Sequence, residues 1–216
     1  MMSKRNMLFG LVLLVIAAIA AGVAWDRHQT RKLQEATLAR IDNATRALRD
    51  AAIATPADSK AVASSTERVD QELMALRGTA TGRIQQLAAG ADGYLLTVRE
   101  LLRRQTMMLQ LRTKIGAGIT AFRAHMGDRS TADWTGKAVQ LKNALEQDYR
   151  EFQRTVDAHG KIADSLPEAR KALDTLAPEG LLITPAEIKS LRENTLAAAT
   201  TLSGEISAAR QLAVPR

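Results

Sequence analysis

"YLLTVRELLRRQTMMLQLRTKIGAGITAF", residues 94 to 122, decides the fold. Tyr94, Val98, Leu101, Met108, Ile115, Ile119 and Phe122 recur at intervals of three, four and seven, with charged and polar residues between them. That spacing puts one apolar stripe on one side of a helix. Upstream, Val62, Val69, Leu73, Leu76, Ala80, Ile84, Leu87 and Ala91 keep nearly the same phase. The glycine pair in Gly90-Ala91-Asp92-Gly93 predicts a turn between the two runs; one very long helix is the alternative. A further stripe runs Trp134, Ala138, Leu141, Leu145, Tyr149, Phe152 and Val156, and the last runs Ile188, Leu191, Thr195, Ala198, Leu202, Ile206 and Ala209. Sustained spacing of this kind, with charges outside it, predicts an all-α chain: an elongated antiparallel helical bundle or coiled coil of four or so helices.

Helix starts are written locally. Thr55-Pro56-Ala57-Asp58 and Thr184-Pro185-Ala186-Glu187 each combine a threonine cap, a proline in the first turn and an acid at the third position. Ser165-Leu166-Pro167-Glu168 has the same form, and Gly127-Asp128-Arg129-Ser130-Thr131 precedes the stripe at Trp134. Breaks are therefore expected near 55, 90–93, 127–131, 160–167 and 178–185. No run alternates β-branched or aromatic residues with polar ones over strand length. Aromatics are 3% of the chain while 46% is hydrophobic, much of it alanine. Little side-chain bulk per residue favours thin alanine- and leucine-lined seams over a thick core.

Outside the bundle pattern stands the N-terminus, where Met7 to Trp25 holds 19 residues without a charge. At about 1.5 Å per residue a helix of that length covers roughly 28 Å, close to the hydrocarbon thickness of a bilayer. Residues 1–25 are read as a transmembrane anchor or uncleaved signal, and 26–216 as an extracytoplasmic helical-bundle domain. A cleaved signal is the competing reading, since Lys4-Arg5 form a basic n-region and Gly22-Val23-Ala24 a small-x-small site. Length favours retention, as does helical spacing that continues through Leu33, Leu38 and Ile41. Trp25 sits where an interfacial aromatic belongs, and Lys4, Arg5, Arg27, Arg31 and Lys32 flank the run as membrane-interface residues. Those flanking charges nearly balance, so orientation rests on the export pattern of a short basic stretch before an apolar one. Ala17, Ala21 and Ala24, and Ala18 with Gly22, give the small-xxx-small spacing of helix pairs in membranes; alanine abundance is the plain alternative.

Formal net charge is +7, but 28 basic and 23 acidic residues remain after residue 25 and are interspersed. No basic arm or reading element for nucleic acid is visible. Cysteine is absent, so disulfides and thiolate metal sites are excluded. His28, His125 and His159 lack partners at ligand spacing, and His159 is read as an edge-of-seam histidine. No phosphate loop, dinucleotide fingerprint or nucleophile elbow occurs. Asp70 with Glu72 and Asp148 with Glu151 read as solvated helix faces. No cofactor, metal or catalysis is expected. The densest basic stretch is Arg99, Arg103, Arg104, Arg112 and Lys114. One reading makes it an anion site at a helix seam; the other makes it surface charge balancing Glu67, Glu72 and Glu100. Met107-Met108 beside it reads as gap filling.

In layout, residues 7–212 resemble the extracytoplasmic four-helix sensor modules of bacterial chemoreceptors. Such receptors return through the membrane, whereas Leu196 to Arg216 stays amphipathic with Glu205, Arg210 and Arg216. The alternative function is a tethered sensor of that layout, with a small anion held at the basic stretch Arg99–Lys114. The residues by themselves favour a non-catalytic, single-pass scaffold or interaction protein of the bacterial inner membrane, mostly periplasmic. Its expected partners are the bilayer and a protein or second copy along the helix seams.

Overall fold

The computed structural model describes residues 4–79, 82–128, 130 and 133–211, with side chains from Ala18 onward. These form α1 (Lys4–Ala52), α2 (Ser59–Arg77), α3 (Gln85–Gly127), α4 (Trp134–Lys171) and α5 (Pro185–Gln211). No strand occurs among the described residues. Short 3-10 turns, Pro56–Asp58 and Gly82–Ile84, lead into α2 and α3. Successive helices run antiparallel, and α3 touches all four others.

Two of the three capping sequences start helices. Thr184 N–H donates to Glu187 Oε2 at 2.7 Å and Glu187 N–H to Thr184 Oγ1 at 3.2 Å, a reciprocal box that opens α5. At the other, Thr55 N–H and hydroxyl both donate to Asp58 Oδ2, at 2.8 and 2.7 Å. These bonds hold the Asp58 carboxyl below its usual range.

The third does not. Pro167 lies inside α4, which runs unbroken through 160–167 to Lys171. The helix loses one backbone bond there, but Ala163, Leu166 and, just beyond, Leu173 are all buried in one core. Continuing the helix keeps that seam, and the seam outweighs the local break. The expected turn at 90–93 is likewise absent, because α3 passes straight through it. Gly90 serves packing instead: a Cβ there would stand 2.8 Å from a Leu173 side-chain carbon and 3.3 Å from Ala172 O. The real break lies at Gly78, whose N–H donates to Met74 O at 2.9 Å and closes α2.

The bundle has two halves. In the first, α1, α2, α3 and the end of α4, joined by the first turns of α5, enclose a core from Ile41 to Leu109 and Ala163 to Leu191. In the second, α3, α4 and α5 continue alone around Met108, Ile115, Phe122, Leu145, Phe152 and Leu202. The change from four helices to three is visible along α3. A seven-residue column of α3, Ala88, Leu95, Leu102 and Leu109, is buried in the core it shares with α1 and α2. Seven residues on, where those helices have ended, the column continues as Gly116 and the exposed Arg123. The apolar width of α3 narrows where its cover stops.

The segment between α4 and α5 is locked to the first half. Ile183 N–H donates to the buried Tyr94 hydroxyl at 3.2 Å, and that hydroxyl lies 2.8 Å from Thr45 Oγ1. Thr45 in turn donates to Ile41 O at 2.9 Å. Arg49 Nε donates to Glu187 Oε1 at 2.7 Å, and Arg49 Nη2 to Gly180 O at 3.3 Å. One end of α1 is thereby tied to the start of α5.

Beyond the first half, α1 continues alone. Residues 18–28 are all exposed, with Ile19, Val23 and Trp25 at 61, 48 and 64%. Asp26 pairs with Arg83 at 2.8 Å, which marks the end of the bundle. Among the described residues no helix holds a stretch long and apolar enough to cross a membrane. The side chains of residues 7–17, most of the apolar run Met7–Trp25, lie outside the described residues, as do those of Lys4 and Arg5.

Candidate functional site at the junction of the halves

The five residues of the basic stretch share one helix but not one site. Arg99 reaches α2, where Nη1 donates to Asp70 Oδ1 at 3.0 Å. Lys114 reaches α4, donating to Asp148 Oδ1 at 2.6 Å. Arg104 pairs along α3 with Glu100 at 3.1 Å, and Arg103 is exposed. Arg112 alone faces a cavity, and it has no ion-pair or hydrogen-bond partner among the described residues. At about 100° per residue, Arg99, Arg103 and Lys114 fall on one side of the helix within about 60°, while Arg104 and Arg112 point elsewhere. Cross-helix acids take Arg99 and Lys114, and Glu72 pairs instead with Arg40 at 3.2 Å. Of the flanking residues, Trp25, Arg27 and Lys32 are exposed, and Arg31 pairs with Glu35 at 2.9 Å.

The cavity, about 220 Å³, sits where the α1–α2 tip ends against α3, α4 and α5. Its wall combines amide and apolar side chains. Gln105 Nε2 donates to Ala51 O at 3.1 Å and Asn194 Nδ2 to Ala52 O at 3.4 Å. They reach the last carbonyls of α1, where Ala51 O also accepts from Ala54 N–H at 3.2 Å, a place glycine-based caps usually serve. Phe152, buried on α4, closes the inner wall with Met108 and Leu109. Ile53, 79% exposed at the tip, forms the rim.

A polar layer crosses the bundle at the same level. His159 is 0% exposed, and neither ring nitrogen has a partner among the described residues. It occupies the seven-residue column Leu145, Phe152, His159, Leu166 and Leu173, at the centre of the seam rather than at its edge. Burial pushes its pKa down to about 4. Gly118 meets Leu145 and Gly90 meets Leu173 across α3 and α4. Midway between these contacts the register sets Arg104 level with His159. The Nε of Arg104 and the Oε1 of Gln105 are also buried without partners. Unpaired buried polar atoms are rare in folded proteins, and here they gather at one level.

At the far end of α3, His125 stacks on Trp134 with ring centroids 5.6 Å apart. The pair also exchanges side-chain to backbone bonds, His125 Nε2 with Trp134 O at 2.8 Å and Trp134 Nε1 with His125 O at 2.9 Å. This is a clasp across the α3–α4 turn. Among the described residues no three of His, Asp and Glu are grouped to hold a metal ion.

Reading the sequence alone missed Gln105, Asn194 and the central place of His159. A period-seven count from Leu145 finds the histidine; nothing local finds the other two, whose partners are carbonyls of a different helix. No protein-family model, curated protein or solved structure matches this chain.

Proposed function

We propose that this chain is a non-catalytic, single-pass membrane-anchored scaffold or interaction protein of the bacterial cell envelope, with its bundle on the periplasmic side of the inner membrane. One observation carries the reading. The helix that begins at Lys4 leaves the bundle below Asp26 and exposes Ile19, Val23 and Trp25 with no core to cover them. Water-exposed apolar side chains on a lone helix call for another apolar medium, and the uncharged run from Met7 supplies the length for a bilayer. The extended bundle behind it offers long helix faces to a protein partner.

The test has two parts. Membranes from expressing bacteria are washed with alkaline carbonate, and alkaline phosphatase is fused after Arg216. Retention in the pellet with active phosphatase is expected. Release into the wash removes the anchor, and an inactive fusion paired with an active cytoplasmic reporter reverses the orientation.

A tethered small-anion sensor is a second reading. The unpaired Arg112 on the junction cavity favours it.

A further inference from the structure

We infer that the junction cavity binds a small amphipathic monocarboxylate, its carboxylate held by Arg112 and its apolar body lying against Met108, Phe152 and Ile53. The lining contains one guanidinium and no carboxylate. Arg99, Arg104 and Lys114 on the same helix all have acidic partners. Arg112 is half-buried beside apolar residues, where a cation gains most from an anion brought to it.

The donor inventory narrows the class. Among the other polar lining groups, Thr195 has spent its hydroxyl proton on Leu191 O, and Gln105 Nε2 and Asn194 Nδ2 have each spent one of their two N–H groups, on Ala51 O and Ala52 O. A single planar guanidinium as the only charged group of the lining matches one planar carboxylate in the bidentate mode. A phosphate dianion would bring a second negative charge that the single cation of the wall does not balance. Size narrows it again. About 220 Å³ equals about seven waters at ~30 Å³ each, below the range of drug-sized pockets. A short chain or small ring suits a space of that size. Its apolar part has a ready surface, because Met108 and Phe152 line the interior and Ile53 stands exposed at the rim.

This site deepens the sensor reading and rests on it only for its purpose; binding is measured apart from signalling. The experiment uses the purified full chain in detergent, titrated calorimetrically with sodium hexanoate against a micelle-only blank. Sodium acetate, sodium phosphate and hexan-1-ol serve as comparison probes. Saturable hexanoate binding is expected, with acetate and hexan-1-ol each at least tenfold weaker. Arg112→Gln is expected to weaken hexanoate tenfold or more, and Ala198→Met, which fills the cavity from α5, to abolish binding. Arg103→Gln, an exposed charge on the same helix, leaves it unchanged. Circular dichroism and melting curves confirm that each variant is folded; if Arg112→Gln is not, Ala198→Met decides alone. No saturable heat with hexanoate, equal binding of hexan-1-ol, tighter binding of phosphate, or full binding to folded Ala198→Met each overturns the site. None of these outcomes bears on the membrane anchor, which the carbonate wash tests separately.

Discussion

Replacing His159 by leucine should stabilise this protein and flatten its response to acid. The histidine sits in a column otherwise made of Leu145, Phe152, Leu166 and Leu173, fully buried and with both nitrogens unpartnered. Charged groups stand around it: Arg104 on α3, Arg192 on α5, and Asp157, Lys161 and Asp164 on α4. None reaches the ring. Burial lowers the pKa from 6.5 to about 4, so as pH falls the unfolded chain takes up the proton first. Stability present above pH 6.5 is lost through the window down to pH 4, and none is lost to this group below it. The gap of about 2.5 pH units, at ~1.36 kcal/mol each, sets a ceiling of roughly 3.4 kcal/mol. About 2 kcal/mol is gone at pH 5 and less than ~1 kcal/mol at pH 6. In a chain of this size that loss lowers the thermal midpoint by about 4–8 °C between pH 7 and pH 5.

The assay is far-ultraviolet circular dichroism on the full chain in detergent, melted at pH 7, 6 and 5, for wild type and His159→Leu. Asp58, Asp92, Asp128 and Glu187 also have lowered pKa values. They cost stability only as pH nears their ordinary carboxylate range, and they are common to both proteins. The variant should therefore melt higher at pH 7, by the removal of two unpartnered buried atoms worth about 1–3 kcal/mol, and the gap should widen at pH 5. Parallel pH curves, or a variant that is weaker at pH 7, would refute the reasoning.

Packing, hydrogen bonding and capping give further outcomes. Gly93→Ala should stabilise by about 1 kcal/mol in chemical denaturation, since nothing crowds a Cβ there, whereas Gly90→Val should cost about 1–3 kcal/mol against Leu173; a destabilising Gly93→Ala would restore the turn. Tyr94→Phe strands the buried Ile183 N–H and should cost about 1–3 kcal/mol, with faster hydrogen exchange at Ile183 as the signature; unchanged exchange there would show that the relay does not hold the segment. Glu187→Ala should cost about 1–2 kcal/mol through the lost cap of α5, while a double-mutant cycle with Arg49 should return under ~1 kcal/mol because that ion pair is a third exposed; a larger coupling would make the pair, not the cap, the main tie.

Local signals proved legible and cross-helix ones did not. Thr184 and Glu187 declare their helix start because both halves of the box lie within four residues. Pro167 gave the same local sign, but Leu166 and Leu173 stay buried only if the helix continues, and that depends on α3. The break after Arg77 left no trace in the periodicity, since Leu76, Ile84 and Leu87 keep helical spacing across it by coincidence. The basic stretch looked like a site because sequence is one-dimensional; Asp70 and Asp148, which take Arg99 and Lys114, arrive from other helices. Arg112 was named among the five, yet its distinction is what fails to reach it.

The unbroken length of α1 makes direction a countable quantity. From Lys4 to Ala52 it is a single helix of 49 residues, about 74 Å long, and its last turns are tied to α3 and α5. No swivel intervenes between the N-terminal end and the bundle. The azimuth of the whole body about that axis is therefore set by residue number. One residue inserted between Asp26 and Leu33 would raise the body by about 1.5 Å and turn it through about 100°, while inserting seven would bring it nearly back into phase. Whatever grips the first helix thereby chooses which flank of the protein faces its neighbours.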